Sequence, residues 1–222
     1  MPNLEIIQEN NTYIVVNKSA GLISEKSPFE KLTVENQVID HILKTKKKPY
    51  VGVIHRLDRV TSGVLMYAKK KSVLVAFNHL FSSRKVTKTY LAIVAKQPPK
   101  NKQNLQHFLV KNTKEKKAKI IAAASKESQV CMLSYQVIDQ NQFGYLLEVK
   151  PKTGRFHQIR AQLAHIGIPI IGDTKYGSKQ AYLPLSVGLH AWKLSYPVAG
   201  TDQMRTYEAS IPKNKFWEFN VL

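Results

Sequence analysis

The chain has 222 residues, of which 43% are hydrophobic and 9% aromatic, so it can build a proper core and wholesale disorder is excluded. Its 34 Lys and Arg against 15 Asp and Glu give a net charge of +19. A globular chain this basic is typical of proteins that bind nucleic acid or an anionic membrane surface. No apolar run approaches the roughly 18 residues that a membrane-spanning helix needs, and no basic helix carries a wide apolar face. Nucleic acid is therefore the favoured partner, and no membrane association is expected.

The cysteine content and the N-terminal sequence indicate the cellular compartment of the protein. Cys131 is the only cysteine, which excludes an internal disulfide and a cysteine-based zinc site. The seven histidines are scattered, and none forms an obvious ligand pair with a neighbouring carboxylate. The first residues, Met1 to Glu5, lack the basic and apolar regions of a signal peptide. We therefore expect a reduced, cytoplasmic protein that needs no metal and no cofactor.

Hydrophobic patterning predicts the elements of the N-terminal half. Apolar residues at helical spacing predict a helix over about 34–43, with Thr33 as its N-cap, and a second helix from about Ser72 to Phe81. Lys18 to Gly21 is assigned to a turn. Short apolar or alternating runs predict strands at 4–8, 12–17, 50–54, 64–68 and 86–95.

The C-terminal half is predicted to be richer in strands. Its one long helical pattern runs from about Arg155 to Ile166 and ends at Gly167 as a C-terminal cap. Strands are predicted at 106–111, 118–124, 130–138, 144–149, 187–194 and 206–211. Because strands outnumber helices and neighbours are often close enough to form hairpins, the sequence predicts an α+β fold with a mostly antiparallel sheet flanked by helices. We expect a single domain over residues 1–222.

Asp58 is the most isolated carboxylate of the chain. From His41 through Lys114, 74 residues, it is the only Asp or Glu, while the same window holds 17 Lys and Arg. Nearby positive charge keeps such a carboxylate ionised. The pattern alone leaves two interpretations open, a catalytic carboxylate or a structural one that neutralises an arginine or caps a turn.

The arginines are distributed selectively. The chain has 28 Lys but only six Arg, and four of those six lie in two short stretches, as Arg56 and Arg59 and as Arg155 and Arg160. Arginine offers a planar, bidentate fork to carboxylate or phosphate, which lysine does not. Helical spacing places Arg160 on the flank of the apolar stripe formed by Ile159, Leu163 and Ile166. A half-buried cation there is expected to have a carboxylate partner, because an unpaired buried charge is costly.

Several motifs in order resemble the RluA-type pseudouridine synthases. They are His55-Arg56-Leu57-Asp58-Arg59-Val60-Thr61-Ser62-Gly63 with Ala68-Lys69, Lys88-Thr89-Tyr90-Leu91-Ala92, Leu146-Leu147-Glu148-Val149 with Thr153-Gly154-Arg155 and His157-Gln158-Ile159-Arg160, Gly167-Ile168-Pro169-Ile170 with Gly172-Asp173 and Tyr176-Gly177, and Leu189-His190-Ala191. The resemblance covers roughly residues 12–197. Departures stand at Ser19, Phe156 and Tyr196, where the family more often has Pro, Thr or His, and His. None of these touches the residues expected to perform the chemistry.

The resemblance implies an enzyme that isomerises uridine to pseudouridine in RNA, with the catalytic loop in a central basic cleft. The bond from C1′ to N1 is broken, the uracil turns, and C1′ is rejoined to C5. The resemblance implies that Asp58 is the catalytic carboxylate, that Tyr90 packs on the flipped base, and that Arg160 pairs with the catalytic carboxylate. Whether Asp58 attacks the sugar, attacks the ring or removes a sugar proton stays open.

Further residues are assigned to RNA or base contacts. Arg56 is implied to enter the space left by the flipped base, and Leu147 or its neighbour to line the uracil pocket. His55 and His157 are expected to be hydrogen-bonding scaffold, and Thr61 with Ser62 to hold the loop by side-chain-to-backbone bonds. Arg59 and Arg155 complete the predicted RNA-binding set.

The expected substrate is ribosomal RNA, transfer RNA or both, bound by a monomer. Because the family resemblance already begins at Thr12, the N-terminal RNA-binding module that many members carry is expected to be absent. Recognition is therefore expected from the basic segments at 44–48, 69–71 and 111–119.

Two other functions stay open from sequence alone. A non-catalytic RNA-binding or ribosome-assembly protein on the same scaffold would have the same charge, although it would have no use for Asp58, Tyr90 and Arg160 together. A glycoside hydrolase would need a second acid beside Asp58, and Glu148 or Asp173 could supply one in space.

Overall fold

The computed structural model describes residues 4–222 and shows an α+β fold. In chain order the strands are β1 (Glu5–Glu9), β2 (Tyr13–Lys18), β3 (Gly52–Val53), β4 (Ser62–Ala68), β5 (Thr87–Val94), β6 (Lys102–Asn112), β7 (Lys117–Ile121), β8 (Gln129–Asn141), β9 (Gly144–Pro151), β10 (Leu189–Pro197) and β11 (Met204–Glu208). The helices are α1 (Val34–Leu43), α2 (Lys71–Ser82) and α3 (Gln158–His165), with short 3-10 turns at Thr174–Tyr176 and Lys215–Trp217. The mostly antiparallel α+β class predicted from the sequence is confirmed.

The chain divides into two compact units. The first contains the described residues up to Lys88 together with Ala191–Ile211, and the second contains Thr89–His190 together with Pro212–Leu222. Each unit is therefore built from segments that are distant in sequence. Whether the two behave as the single domain expected from the sequence stays a prediction.

In the first unit, β2 and β4 are the central strands. They pair antiparallel from Tyr13 opposite Ala68 to Lys18 opposite Gly63. β1 extends this sheet beside β2, β3 pairs with β4, and β10 lies beside β4 with β11 at its other edge. Both central strands are apolar along most of their length and are buried on both faces, as expected of uninterrupted apolar runs bounded by turns.

The two helices of the first unit begin and pack as their sequences predict. The Thr33 hydroxyl accepts a hydrogen bond from the Asn36 backbone N–H at 3.1 Å, which is the predicted N-cap of α1. α2 presents Phe77 to the core, and its other predicted stripe residues are partly buried and pack against the same core cluster: Val73, Leu74, Leu80 and Phe81. The predicted helix bounds are correct to within one residue.

The second unit is an antiparallel sheet in the order β5-β9-β8-β6-β7. The C-terminal segment closes this unit through side chains that no sequence pattern indicated. Asn141 donates to the carbonyls of Phe216 and Glu218, at 3.3 and 3.1 Å, and the Trp217 indole N–H donates to the Tyr182 hydroxyl at 2.6 Å. Residues after 211 are therefore part of the second unit's packing.

The structure corrects two predicted elements. α3 starts at Gln158 instead of Arg155, because His157 adopts a left-handed backbone conformation with φ of +51° that cannot belong to a right-handed helix. The predicted strand at 50–54 is reduced to Gly52–Val53. The predicted cap Gly167 is confirmed, with φ of +84° just beyond the end of α3. Among the described residues, no helix combines the length and apolarity needed to cross a bilayer.

Candidate active site

Asp58 lies in a loop, residues 55–61, that leads from β3 into β4; we call it the Asp58 loop. The Thr61 N–H donates to the Asp58 carbonyl at 3.1 Å and closes a tight turn around the carboxylate, whose residue is partly exposed. Gly63 is required where the loop enters β4. Its φ is +117°, and an added Cβ would lie 2.2 Å from the Ala191 carbonyl oxygen. The loop is therefore compressed against β10 at one end.

Two buried side chains fix the Asp58 loop on either side of Asp58. Lys18, at the end of β2, is only 1% exposed, and its Nζ donates to the carbonyls of Ser19, Leu22 and Arg59 at 3.0, 2.7 and 3.1 Å. The Ser24 hydroxyl accepts from the Leu57 N–H at 3.0 Å and donates to the Leu57 carbonyl at 2.9 Å. The residues before and after Asp58 are thus both anchored by atoms removed from water.

Lys18 is also electrostatically linked to Asp58. Burial lowers the pKa of Lys18 to about 7, the negative charge of Asp58 opposes that decrease, and the positive charge of Arg59 adds to it. Sequence reasoning missed this residue by assigning it to a turn. The signal that could have found it is a charged residue at the end of the otherwise apolar strand from Tyr13.

The two arginines that flank Asp58 form ion pairs with carboxylates from an earlier part of the chain. Arg56 Nη1 lies 2.6 Å from Glu25 Oε1, and Arg59 Nη2 forms an ion pair with Glu30 Oε1. Asp58 is isolated from other carboxylates along the sequence, but in the folded chain Glu25 and Glu30 pair with the arginines on either side of it. Because both pairs are partly exposed, each contributes little to stability, on the order of 0–1 kcal/mol.

His55 and Thr61 place polar atoms in the interior. The His55 Nε2 atom is buried and has no hydrogen-bond partner among the described residues, while its ring packs against Phe81 with centroids 5.4 Å apart. Burial, and secondarily the charge of Lys88, lowers the pKa of His55 to about 3, so the ring is neutral. The predicted side-chain-to-backbone bond of Thr61 is wrong. Its buried hydroxyl has no partner in the described part of the chain, and Lys18 and Ser24 hold the loop.

Tyr90 and Leu147 lie on paired strands of the second unit. In the β5–β9 ladder, Tyr90 is opposite Val149 and Ala92 is opposite Leu147. Tyr90 is partly exposed, whereas Leu147 is fully buried. Tyr90 thus keeps part of its surface accessible to solvent. The assignment of Leu147 to a uracil pocket stays a prediction, since its burial also fits a plain core role.

Arg160 is deeper than the sequence indicated. It is 5% exposed instead of half-buried, because α3 is buried on every side from Gln158 to Leu163. Its Nε and Nη2 atoms donate to the two carboxylate oxygens of Asp173 at 2.7 and 2.9 Å, a bidentate pair. The guanidinium also lies over the Tyr176 ring, 5.1 Å from its centroid. Asp173, which the sequence offered only as a possible second acid, is the carboxylate that orients Arg160.

The segment before α3 is held by Gln158. Its Oε1 accepts from the Thr153 hydroxyl at 2.7 Å and from the Arg155 N–H at 3.0 Å, and its Nε2 donates to the Met132 carbonyl at 2.9 Å. Arg155 is exposed, and its Nε donates to the Val130 carbonyl at 3.3 Å. This network fixes the backbone from which Arg155 projects.

His157 is part of an aromatic group beside α3. Its Nδ1 is 3.0 Å from the Tyr176 hydroxyl, and its ring stacks on Phe156 with centroids 3.8 Å apart. The predicted scaffold role of His157 fits this geometry. Within the first unit the structure thus brings Asp58 together with Lys18, Arg56, Arg59, His55 and Thr61, and within the second it brings Arg160 together with Asp173, Tyr176 and His157.

Comparison with known proteins gives a consistent result. The family model described as RNA pseudouridylate synthase matches residues 12–165. The tRNA pseudouridine synthase C of Vibrio parahaemolyticus is 31% identical over 94% of this chain and 90% of its own length. The ribosomal large subunit pseudouridine synthase D of Borreliella burgdorferi is 30% identical over 95% of this chain and 66% of its own.

Solved structures share the fold. Human RNA pseudouridylate synthase domain containing 4 superimposes with a TM-score of 0.78 at 24% identity, covering 94% of this chain and 89% of that one. Human RNA pseudouridylate synthase domain containing 1 gives a TM-score of 0.73 at 23% identity, with the same two coverages. The chain belongs to the RNA pseudouridylate synthase family, as its motifs implied.

Proposed function

We propose that this chain isomerises uridine to pseudouridine in structured RNA, with Asp58 as the catalytic carboxylate. The observation that carries the proposal is the anchoring of the Asp58 loop. Leu57 and Arg59, on either side of Asp58, are bonded to the buried side chains of Ser24 and Lys18. A carboxylate fixed in this way loses little conformational freedom when the substrate arrives.

The reaction requires two bonds to break and two to form. The bond from C1′ to N1 breaks, C1′ is rejoined to C5, the proton on C5 leaves, and N1 gains a proton, so the base is isomerised without net oxidation. An ionised carboxylate can serve as nucleophile or as base in this sequence. The negative charge of Asp58 opposes the decrease that burial causes in the pKa of Lys18, so the two side chains interact electrostatically.

Arg160 and Tyr90 complete the proposed catalytic set. Asp173 accepts from two of the five N–H donors of the Arg160 guanidinium and so fixes its orientation, and the family motifs assign this arginine to the catalytic carboxylate. The partly exposed ring of Tyr90 would then stack on the flipped uracil.

Arg56 is suited to the space left by the flipped base. Its guanidinium pairs with one carboxylate oxygen of Glu25, and the pair is largely exposed, so the guanidinium can exchange that partner for RNA at small cost. Arg59, Arg155 and His157 are assigned to neighbouring RNA contacts. His55 is a neutral packing residue in this proposal, because its buried nitrogen and lowered pKa fit no phosphate contact.

Transfer RNA is the first substrate to test. The Vibrio relative named for transfer RNA matches this chain over nine-tenths of its own length, whereas the large-subunit relative of Borreliella matches over two thirds. The basic segments at 44–48, 69–71 and 111–119 would neutralise the RNA backbone. A cytoplasmic monomer acting without a cofactor completes the proposal.

Release of tritium from RNA labelled at C5 of uridine tests the activity, because C5 loses its hydrogen only when C1′ is joined there. Bulk transfer RNA and bulk ribosomal RNA are supplied separately to the purified protein. Release from either pool supports the isomerase, and the faster pool identifies the substrate class. If the protein binds RNA but releases no tritium from either pool, the result would instead favour the non-catalytic RNA-binding protein.

A further inference from the structure

A tight turn in the first unit presents an aromatic side chain to solvent. Ser27 and Glu30 are joined by an antiparallel bridge, Pro28 and Phe29 form the tip between them, and the Phe29 N–H donates to the Ser27 hydroxyl at 3.2 Å. We call residues 27–30 the Phe29 turn. Phe29 is 92% exposed, more than any other large hydrophobic side chain in the described part of the chain. Pro at the second position presets the backbone, so the exposure comes from a defined turn.

The segment that ends in the Phe29 turn, residues 24–30, contacts the Asp58 loop at three points, of which the buried Ser24 is the anchor and the two ion pairs are partly exposed. Ser24 bonds both backbone groups of Leu57, Glu25 pairs with Arg56, and Glu30 of the turn itself pairs with Arg59. All of these residues belong to the first unit. An aromatic ring is therefore held beside the loop that carries the proposed catalytic carboxylate.

The surroundings of Phe29 indicate what the ring would bind. Lys26 and Lys31 stand on either side of the turn, and both are exposed. An aromatic ring between two exposed cations on a strongly basic chain is suited to a partner that has a planar ring for stacking and a negatively charged group next to it. Unpaired nucleotides have this chemistry, since every base can stack on an aromatic ring while its phosphates contact lysine. A single exposed ring is too small an apolar patch to indicate a protein or membrane partner.

We propose that Phe29 stacks on an unpaired nucleobase next to the target uridine and thereby helps to select substrates whose uridine lies in a loop or single strand. This inference rests on the proposed function for its substrate class. It adds a specificity contact that lies outside the family motifs, the first of which starts at His55. A base in a continuous duplex is already stacked on both faces and cannot use this contact.

Substitution of Phe29 tests the contact through binding, independently of turnover. Phe29→Ala should weaken the affinity for bulk transfer RNA by about 5- to 150-fold, the range for loss of one base–aromatic stack. Phe29→Tyr should restore the affinity. Val75→Ala, which truncates another exposed apolar side chain of the same unit, should leave it unchanged. Unchanged RNA affinity in Phe29→Ala overturns the proposal.

Fluorescence of Phe29→Trp provides the second measurement. Single-stranded oligouridylate should quench the added tryptophan, and a fully paired duplex of adenylate and uridylate should not. Quenching of equal size by both RNAs contradicts a contact with an unpaired base. Both experiments can succeed when tritium release is absent, so failure of the stacking contact and failure of the isomerase activity are separate results.

Discussion

The two arginine clusters of this chain look alike in sequence but differ in the folded protein. Arg56 and Arg59 stand in partly exposed ion pairs with Glu25 and Glu30, whereas Arg160 is buried and bidentate to a buried Asp173. Water and salt screen the first kind of pair, so RNA phosphates can compete with the carboxylates. The buried pair is screened far less and cannot lose one partner without leaving a buried charge. Arg56 and Arg59 are thus suited to exchange partners and Arg160 to keep its geometry, while Arg155 is exposed like the first cluster.

Removing the buried cation should have the largest effect. Arg160→Met leaves the Asp173 carboxylate buried without its bidentate partner and should lower the free energy of unfolding by about 3–5 kcal/mol. Arg56→Met should cost less than about 1 kcal/mol. Urea denaturation of both variants measures the difference.

The double variant Arg160→Met with Asp173→Leu is the control, because it removes both charges. It should recover a large part of the lost stability. Equal losses in Arg160→Met and Arg56→Met would contradict the distinction between the clusters.

The second-largest effect is expected when the Lys18 anchor of the Asp58 loop is removed. Lys18→Met takes the donor away from three backbone carbonyls and should lower the free energy of unfolding by roughly 1–3 kcal/mol. It should also reduce kcat more than it raises KM, because the loop that positions Asp58 is loosened. Tritium-release kinetics and urea denaturation measure the two effects. The exposed Lys85→Met, in the same unit, serves as the charge-matched control, and equal kcat values in the two variants would argue against the anchor.

His55 should make the first unit sensitive to acid. Its folded pKa of about 3 lies below the ordinary value of 6.5, so the unfolded chain binds a proton between those pH values and the folded chain does not. The free energy of unfolding should therefore fall as pH decreases through this window, by about 1.5 kcal/mol between pH 6.5 and 5. His55→Gln should lack this part of the acid loss. His79→Gln, at an exposed position on α2, should retain it. If the free energy of unfolding falls equally with decreasing pH in the two variants, His55 is not the source of the acid sensitivity.

The exposed cluster should act on RNA while leaving the fold nearly unchanged. Arg56→Met should reduce the slope of log affinity against log salt concentration by about one, as expected when one phosphate contact is lost. Titration of bulk transfer RNA at several salt concentrations measures this slope. Lys44→Met provides a comparison within a predicted basic segment, and an unchanged slope for Arg56→Met would place Arg56 away from the RNA.

Local features of this fold were readable from sequence because neighbouring residues determine them. The Thr33 hydroxyl caps α1 by accepting from the N–H of Asn36, three residues later. The apolar stripe of α2 depends only on residue spacing, and Gly167 ends α3 through its own backbone conformation. The motifs around Asp58 and Arg160 indicated the family, which the comparisons confirm.

What escaped prediction depends on partners that are distant in the chain. Lys18 bonds a carbonyl 41 residues away, Ser24 bonds Leu57 across 33 residues, and no local pattern relates these positions. The burial of Arg160 was underestimated because packing covers α3 on all sides, which its apolar stripe does not reveal. His157 interrupted the predicted helix through a backbone angle that its side chain does not encode.

The central claim is that Asp58 is the catalytic carboxylate, and one substitution tests it directly. Asp58→Asn keeps the size of the side chain and removes its charge, and Asp202→Asn makes the same change at an exposed position of the same unit. Carbodiimide treatment and primer extension on incubated transfer and ribosomal RNA score pseudouridine formation. We expect Asp58→Asn to bind RNA normally and to lose at least about a thousandfold in rate, with Asp202→Asn unaffected. Pseudouridine formation by Asp58→Asn at a rate comparable to that of the unaltered protein would contradict the account.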